Sequence, residues 1–418
     1  MHKNTSITKK TKLTSMRAFL VFFGMLFMLN TYAYDFEKDG IYYNIVSMQD
    51  KTLQVTYPEK GYTCENLIVP DVVNYAGHDF TVVSMFFESD MQAGTKITNI
   101  RIPKTVKSFR GYPCTFENVY IEDIESYLNI TLETAYYPVE SRITSDITKI
   151  YVNDLLLTNL TVPGSISKIG KYAFHSYKYL ESVEFEDGVE EIGQLAFCLC
   201  ANLKTVRIPN SMKYLWGRTF LNSGVENLFI DKNADICLND RDFCGTKIKE
   251  LHLYSNCYIG DQCFADCKEL TSLVIDDTDK TNEYWIGSTA FKGCEKLNTV
   301  NLPESTSGIG YESFYGCSKL KSIYCKASTP PSVGSSAFGT VNMPECSLFV
   351  PKESITQYKE STEVWCLFNI QEYQDISGIN NVPSVNRKSD SRYSISGLRI
   401  KNNFNGIYIE GDKKYIAK

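Results

Sequence analysis

Beyond residue 33 the sequence offers three imidazoles, His78, His175 and His252, and none is spaced to share a metal with another. Asp231-x-Asn233-x-Asp235, followed by Asn239 and Asp242, sets out oxygen donors as a calcium loop does. Ile236 stands where such a loop needs glycine, so a solvated turn is the expected structure. Asp276-Asp277-Thr278-Asp279 reads as an exposed loop. Ser165-x-x-Lys168 matches a short nucleophile motif, and Glu190-Glu191 is one of many carboxylate pairs on an acidic chain. There is no G-x-S-x-G elbow, phosphate-binding loop or dinucleotide fingerprint. The expectation is no catalytic residue, no metal and no cofactor.

Fourteen cysteines are the other chemical resource. Cys198-x-Cys200 lacks the second pair that a zinc site requires. Cys200, Cys267, Cys294 and Cys317 each stand three residues before a recurring apolar position, Leu203, Leu270, Leu297 or Leu320. A residue locked to a repeat is placed by packing, and a free thiol is a small buried hydrophobe. Tyr177 fills the same slot one repeat earlier, which no bridge explains. Structural thiols are expected, with Cys198 near Cys200 and Cys257 near Cys263 as the candidate exceptions.

That repeat organises the chain. Phe174, Phe197, Phe220, Phe243, Phe264, Phe291, Phe314 and Phe338 follow one another at 23, 23, 23, 21, 27, 23 and 24 residues. Leu180, Leu203, Val225, Ile248, Leu270, Leu297 and Leu320 form a second ladder in phase with the first. The Asp276–Asp279 run falls in the 27-residue interval, hence its reading as a loop. A period in the twenties with an L-x-x-L-x-L-type strand marks a leucine-rich-repeat solenoid. In Leu180-Glu181-Ser182-Val183-Glu184-Phe185 the first, fourth and sixth residues point inward. Apolar-Pro pairs (Val69-Pro70, Ile102-Pro103, Val162-Pro163, Ile208-Pro209, Leu302-Pro303, Val350-Pro351) should end the strands, because proline has no amide to donate. Ile169-Gly170, Ile192-Gly193, Ile259-Gly260, Ile286-Gly287 and Ile309-Gly310 read as sharp turns into short helical stretches such as Lys171–Phe174. The expected fold is one curved solenoid with a parallel sheet of about seven to ten short strands. Val183, Phe185, Val206, Ile208, Leu273, Ile275, Val300, Leu302 and the ladder phenylalanines should form its core.

The segments SKIGKYAFHSYKYLESVEF, QLAFCLCANLKTVRIPNSMKYL, STAFKGCEKLNTVNLPESTSGIGYESFYGCSKLKSIYC and ASTPPSVGSSAF carry a resemblance. They resemble the BspA-like leucine-rich-repeat surface antigens of host-associated bacteria, over roughly residues 35–370. Residues 213–262 depart from the pattern: Leu215-Trp216-Gly217 replaces Ile-Gly and the apolar-Pro pair is missing. The resemblance implies an exported, non-enzymatic binding protein of the adhesin or surface-antigen type.

Along the chain, residues 1–33 read as a signal peptide. Lys3, Lys9, Lys10, Lys12 and Arg17 precede the apolar run Ala18–Leu29, and Thr31-Tyr32-Ala33 supplies the small residues of a cleavage site. Residues 34–65 read as a β-hairpin cap turning near Gln49-Asp50-Lys51, and 66–370 as the solenoid. Residues 116–157 read as an irregular insertion with a helix around Ile124–Ile130 and a hairpin at Asn153-Asp154. Lys352–Glu360 looks like a capping helix, and 371–391 like a polar linker. Residues 392–418 form a small β module that resembles the end of a type IX secretion sorting module. Without residues 1–33 the net charge of −6 becomes −11, which disfavours nucleic acid and anionic lipid as partners. No span of a membrane is expected in the mature chain.

A protein or glycan ligand at the cell surface is the expected use of such a scaffold. A periplasmic or envelope scaffold for another bacterial protein is the alternative, and an enzyme with its site in 116–157 a third. The fifth position of each strand points out of the core: Glu184, Arg207, Phe229, His252, Val274, Asn301 and Tyr324. Parallel strands would align these side chains into a row. Arg207, Phe229, His252, Tyr254 (on the end of the neighbouring strand), Val274 and Tyr324 are the candidate binding residues, with an apolar-aromatic stripe at their centre.

Overall fold

The computed structural model describes residues 34–58, 61–87, 97–111, 116–133, 148–277, 283–373, 393–394, 406–410 and 413–417. The signal-peptide reading of 1–33 and most of the linker reading of 371–391 lie outside these residues. The chain divides at Gln371/Glu372 into two compact units.

The first unit is a β-solenoid in which every coil has three sides. Front strands follow the leucine ladder, as at Ser182–Phe185, Thr205–Ile208 and Asn227–Ile230, and pair in parallel without slip. They stop at the residue before proline at Ile102, Val162, Ile208, Leu302 and Val350. Alternate residues of these strands are buried, including the expected Val183, Phe185, Val206, Ile208, Leu273, Ile275, Val300 and Leu302.

The parallel strands of the solenoid are divided among several sheets. The front strands form separate ladders, one from Asn66–Ile68 to Leu155–Leu156, one from Asn159–Val162 to Asn227–Ile230, and one from Glu250–Tyr254 to Asn369–Glu372. A second parallel sheet of eight strands lines the back, from Lys168–Ile169 to Ser332–Val333. The Ile-Gly pairs belong to these back strands and their exits. Their glycines have no left-handed backbone. Beyond the first coil they are small because the preceding coil lies against them: a Cβ on Gly193 would sit 2.6 Å from the Lys171 amide nitrogen, and one on Gly310 2.7 Å from that of Ser288. Trp216 and Asn239 occupy this slot in the two coils that depart from the pattern.

In the coils from Phe174 to Phe314 the third side is a run of turns with no helix, and each ladder phenylalanine is flanked two residues before and after by left-handed residues: Tyr172 and Ser176, Leu195 and Leu199, Arg218 and Asn222, through Glu312 and Gly316. This leaves the phenylalanine amide free to donate to the next coil, as from Phe174 to Ala196 and from Phe291 to Ser313, both at 2.8 Å. The rings stack from Phe174 to Phe338 with centroids 5.0–5.5 Å apart and planes within 13°. Such pairs add about 0.5–1.5 kcal/mol each beyond the area they bury. The thiols of Cys200, Cys267, Cys294 and Cys317 donate to the carbonyl of the ladder phenylalanine one coil back, at 3.1–3.3 Å. All thirteen described cysteines are free, Cys198, Cys200, Cys257 and Cys263 among them. Burial pushes Cys267 and Cys317 up to about 12.

Both ends of the stack are closed. Asp123 accepts from the Ser126 amide at 2.7 Å and starts the short helix α1, Ile124–Leu128. From it Tyr127 lies 5.7 Å from the Phe174 ring and donates its hydroxyl to Ala173. The segment read as an irregular insertion thus begins the aromatic stack, and its strands Asn118–Ile121 and Lys149–Val152 pair in ordinary front register. At the far end helix α2, Ile355–Lys359, leads to Trp365 and Phe368, which cover Phe338. At the N-terminus Phe36–Lys38, Ile41–Ser47 and Thr52–Thr56 form an antiparallel meander whose last strand continues in parallel with His78–Phe87.

The second unit contains Tyr393–Ser394, Gly406–Glu410 and Lys413–Ala417 as an antiparallel three-stranded sheet. Among the described residues no helix is long and apolar enough to cross a membrane.

Candidate functional site on the front face

The outward row exists, in two pieces. Strand pairing aligns Thr161, Glu184, Arg207 and Phe229 in one ladder, and His252, Val274, Asn301, Tyr324 and Phe349 in the next. The break falls between Phe229 and His252, inside the residues that depart from the repeat. There Ile230 is only half-buried, whereas its counterparts Ile208 and Leu253 are buried. The strand Asn227–Ile230 is the last of its ladder, and its end is partly exposed.

Phe229, on the last strand before the break, is 46% exposed. The Arg207 guanidinium covers one face, 4.3 Å from the ring centroid. Across the break, Nε2 of His252 lies 2.8 Å from an Asp276 carboxylate oxygen, and its ring is 4.9 Å from Tyr254. Tyr254 belongs to the same strand as His252, two residues on, rather than to a neighbouring one. Partial burial, then the nearby Asp276 charge, hold its phenol above the ordinary tyrosine range, so it remains a neutral donor. Val274 is half-buried in register with His252. Tyr324 stands three coils further on, about 14 Å from His252, and stacks on Phe349 at 4.5 Å. The structure thus groups Arg207 with Phe229, and His252 with Tyr254 and Val274, and sets Tyr324 apart.

Sequence reasoning missed a further stretch. Arg101, Tyr120 and Tyr151 are aligned on the N-terminal front ladder, with Tyr120 and Tyr151 stacked at 4.8 Å and Arg101 5.0 Å above Tyr120. Each precedes the last apolar residue of its strand, the same signal that marks Arg207 and Phe229.

Chemistry elsewhere is spoken for by the fold. Asp231 accepts from the Asn233 amide, and Asp277 accepts from Glu304 and Ser305. Lys168 pairs with Glu191 at 2.8 Å. No group of three or more metal-ligating side chains occurs among the described residues.

The repeats are matched by the model of the BspA type leucine rich repeat region, with six copies over residues 146–271, 257–363 and 285–409. The chain belongs to this family. BspA-type repeats are typically non-catalytic, and the family fits a binding or surface role. Among solved structures, a leucine-rich repeat protein from Bacteroides ovatus is 20% identical, with 82% of this chain and 100% of that one covered and a TM-score of 0.38. A leucine-rich cell surface protein from Faecalibacterium prausnitzii is 16% identical, with 82% and 96% covered and a TM-score of 0.39. The pneumococcal vaccine antigen PcpA is 15% identical, with 81% and 98% covered and a TM-score of 0.35. No curated protein matches the sequence.

Proposed function

We propose that this BspA-type protein is exported and displayed at the cell surface, where it binds a host protein or glycan through its front face and performs no chemistry. The observation that carries the reading is Phe229, nearly half exposed beside Arg207 at a break between two front ladders. Folding gives no reason to expose a large aromatic there, while aromatic and arginine anchors dominate binding energy at interfaces. His252 and Tyr254 extend the patch across the break and add hydrogen-bonding groups to it. The basic and apolar pattern of residues 1–33 supports export.

Two measurements test it. Proteinase added to intact cells should degrade the protein, and its survival would place it in the periplasm as a scaffold. A panel of host-matrix proteins and glycans should contain a ligand for the full chain. A panel without one removes the reading.

A further inference from the structure

The back sheet carries an outward row of its own. Tyr214, Cys237 and Tyr258 face out at successive coils. Tyr214 and Tyr258 therefore stand two coils apart, about 10 Å. Their rings are 45% and 51% exposed. Between them runs a groove of about 480 Å³, walled by Glu190, Asn210, Ser211, Asn233, Asp235 and Asn256. Asn256 donates its amide to the Ala234 carbonyl at 2.8 Å, and its side-chain oxygen has no partner in the fold.

Pairing of Ile259 with Ile286 puts Trp285 next in this row. Trp285 lies over Gly308, where a Cβ would run into its ring, so the glycine lets the indole lie down against the sheet. The indole is 44% exposed. The back sheet thus presents aromatic faces separated by amides, hydroxyls and carboxylates.

A protein interface has a contiguous desolvated core depleted of charge, and this surface has none. A sugar fits it better. Its C–H face packs on an aromatic ring, and its edge hydroxyls need the donors and acceptors that the groove supplies. Glu190 and Asp235 line the groove, and Lys213 is already paired with Glu190 at 2.8 Å. That balance of charge disfavours sialylated and sulfated glycans.

We propose that this groove is a carbohydrate site for an extended neutral oligosaccharide, with sugar rings laid on Tyr214 and Tyr258. It is independent of the front-face reading. The test is a glycan array of neutral, sialylated and sulfated oligosaccharides probed with the full chain and with variants. Wild type should bind neutral linear glycans. Tyr214→Ala and Tyr258→Ala should each weaken that binding at least tenfold, and Tyr258→Trp should retain it. Should an alanine variant lose its fold by circular dichroism, Tyr214→Phe and Tyr258→Trp decide, since both keep the ring and must keep binding. The proposal is overturned if no neutral glycan binds, if anionic glycans are preferred, if folded alanine variants bind as well as wild type, or if the ring-keeping variants fail to bind.

Discussion

The rings of Phe264 and Phe291 stack at 5.5 Å with 5° between their planes, although 27 residues separate them. Phe291 and Phe314, 23 residues apart, stack at 5.4 Å with the same 5°. The added length lies between the front strand Ser272–Asp276 and the back strand Tyr284–Ile286, so the aromatic column never registers it. The column holds the period, and the connections absorb the variation.

Phe291 is therefore a stringent place to open a cavity. Its neighbours on both sides are held by stacking and by backbone bonds between coils, so the space cannot collapse. Phe291→Ala should destabilise the solenoid by about 3–5 kcal/mol. Urea or thermal unfolding reads this, and an unchanged midpoint would contradict the packing.

The back-sheet glycines give a paired test. A Cβ at Gly287 would meet the Gly260 carbonyl carbon at 2.6 Å, whereas one at Gly170, on the first coil of that sheet, meets nothing within 4 Å. Gly287→Ala should cost about 1–3 kcal/mol, and Gly170→Ala should be neutral or stabilise by up to about 1 kcal/mol. Equal melting temperatures for the two variants would mean that the coils are not in such close contact.

These glycines also show where the sequence stopped being legible. The front strands declared themselves because three inward positions recur in each repeat. Most back strands are only two residues long, as at Lys168–Ile169 and Glu191–Ile192, too short for alternation to show, so Ile-Gly read as a turn. The segment 116–157 looked irregular because a long connection hides ordinary strands at Asn118–Ile121 and Lys149–Val152, and with them Tyr120 and Tyr151. Arg207 and Phe229 were legible as neighbours. The break in the sheet beside Phe229 was not, because it depends on pairing between strands.

Asp242 should make stability depend on pH. It is fully buried, accepts from the Thr219 amide at 3.0 Å and the Asn239 amide at 2.6 Å, and burial raises its carboxyl to about 6 despite those bonds. The folded state holds this proton more tightly than the unfolded chain, where the pKa is about 3.9. Its contribution is thus fully present below about pH 4 and lost as pH rises through 6, an effect of about 3 kcal/mol. Unfolding free energies from pH 4 to 7.5, taken as wild type minus Asp242→Asn, should fall across that window. A flat difference would show that Asp242 does not bind a proton on folding.

The central claim is that the front face around Phe229 is a binding surface and not a folding feature. The most direct measurement compares wild type with Phe229→Ala/Tyr254→Ala for binding to the host-matrix protein or glycan that the wild-type chain captures. The melting temperature of each is taken alongside. Binding should fall at least a hundredfold, about 2.7 kcal/mol, with the melting temperature nearly unchanged. Equal binding by the double variant would contradict it and move the surface to the aligned Arg101, Tyr120 and Tyr151.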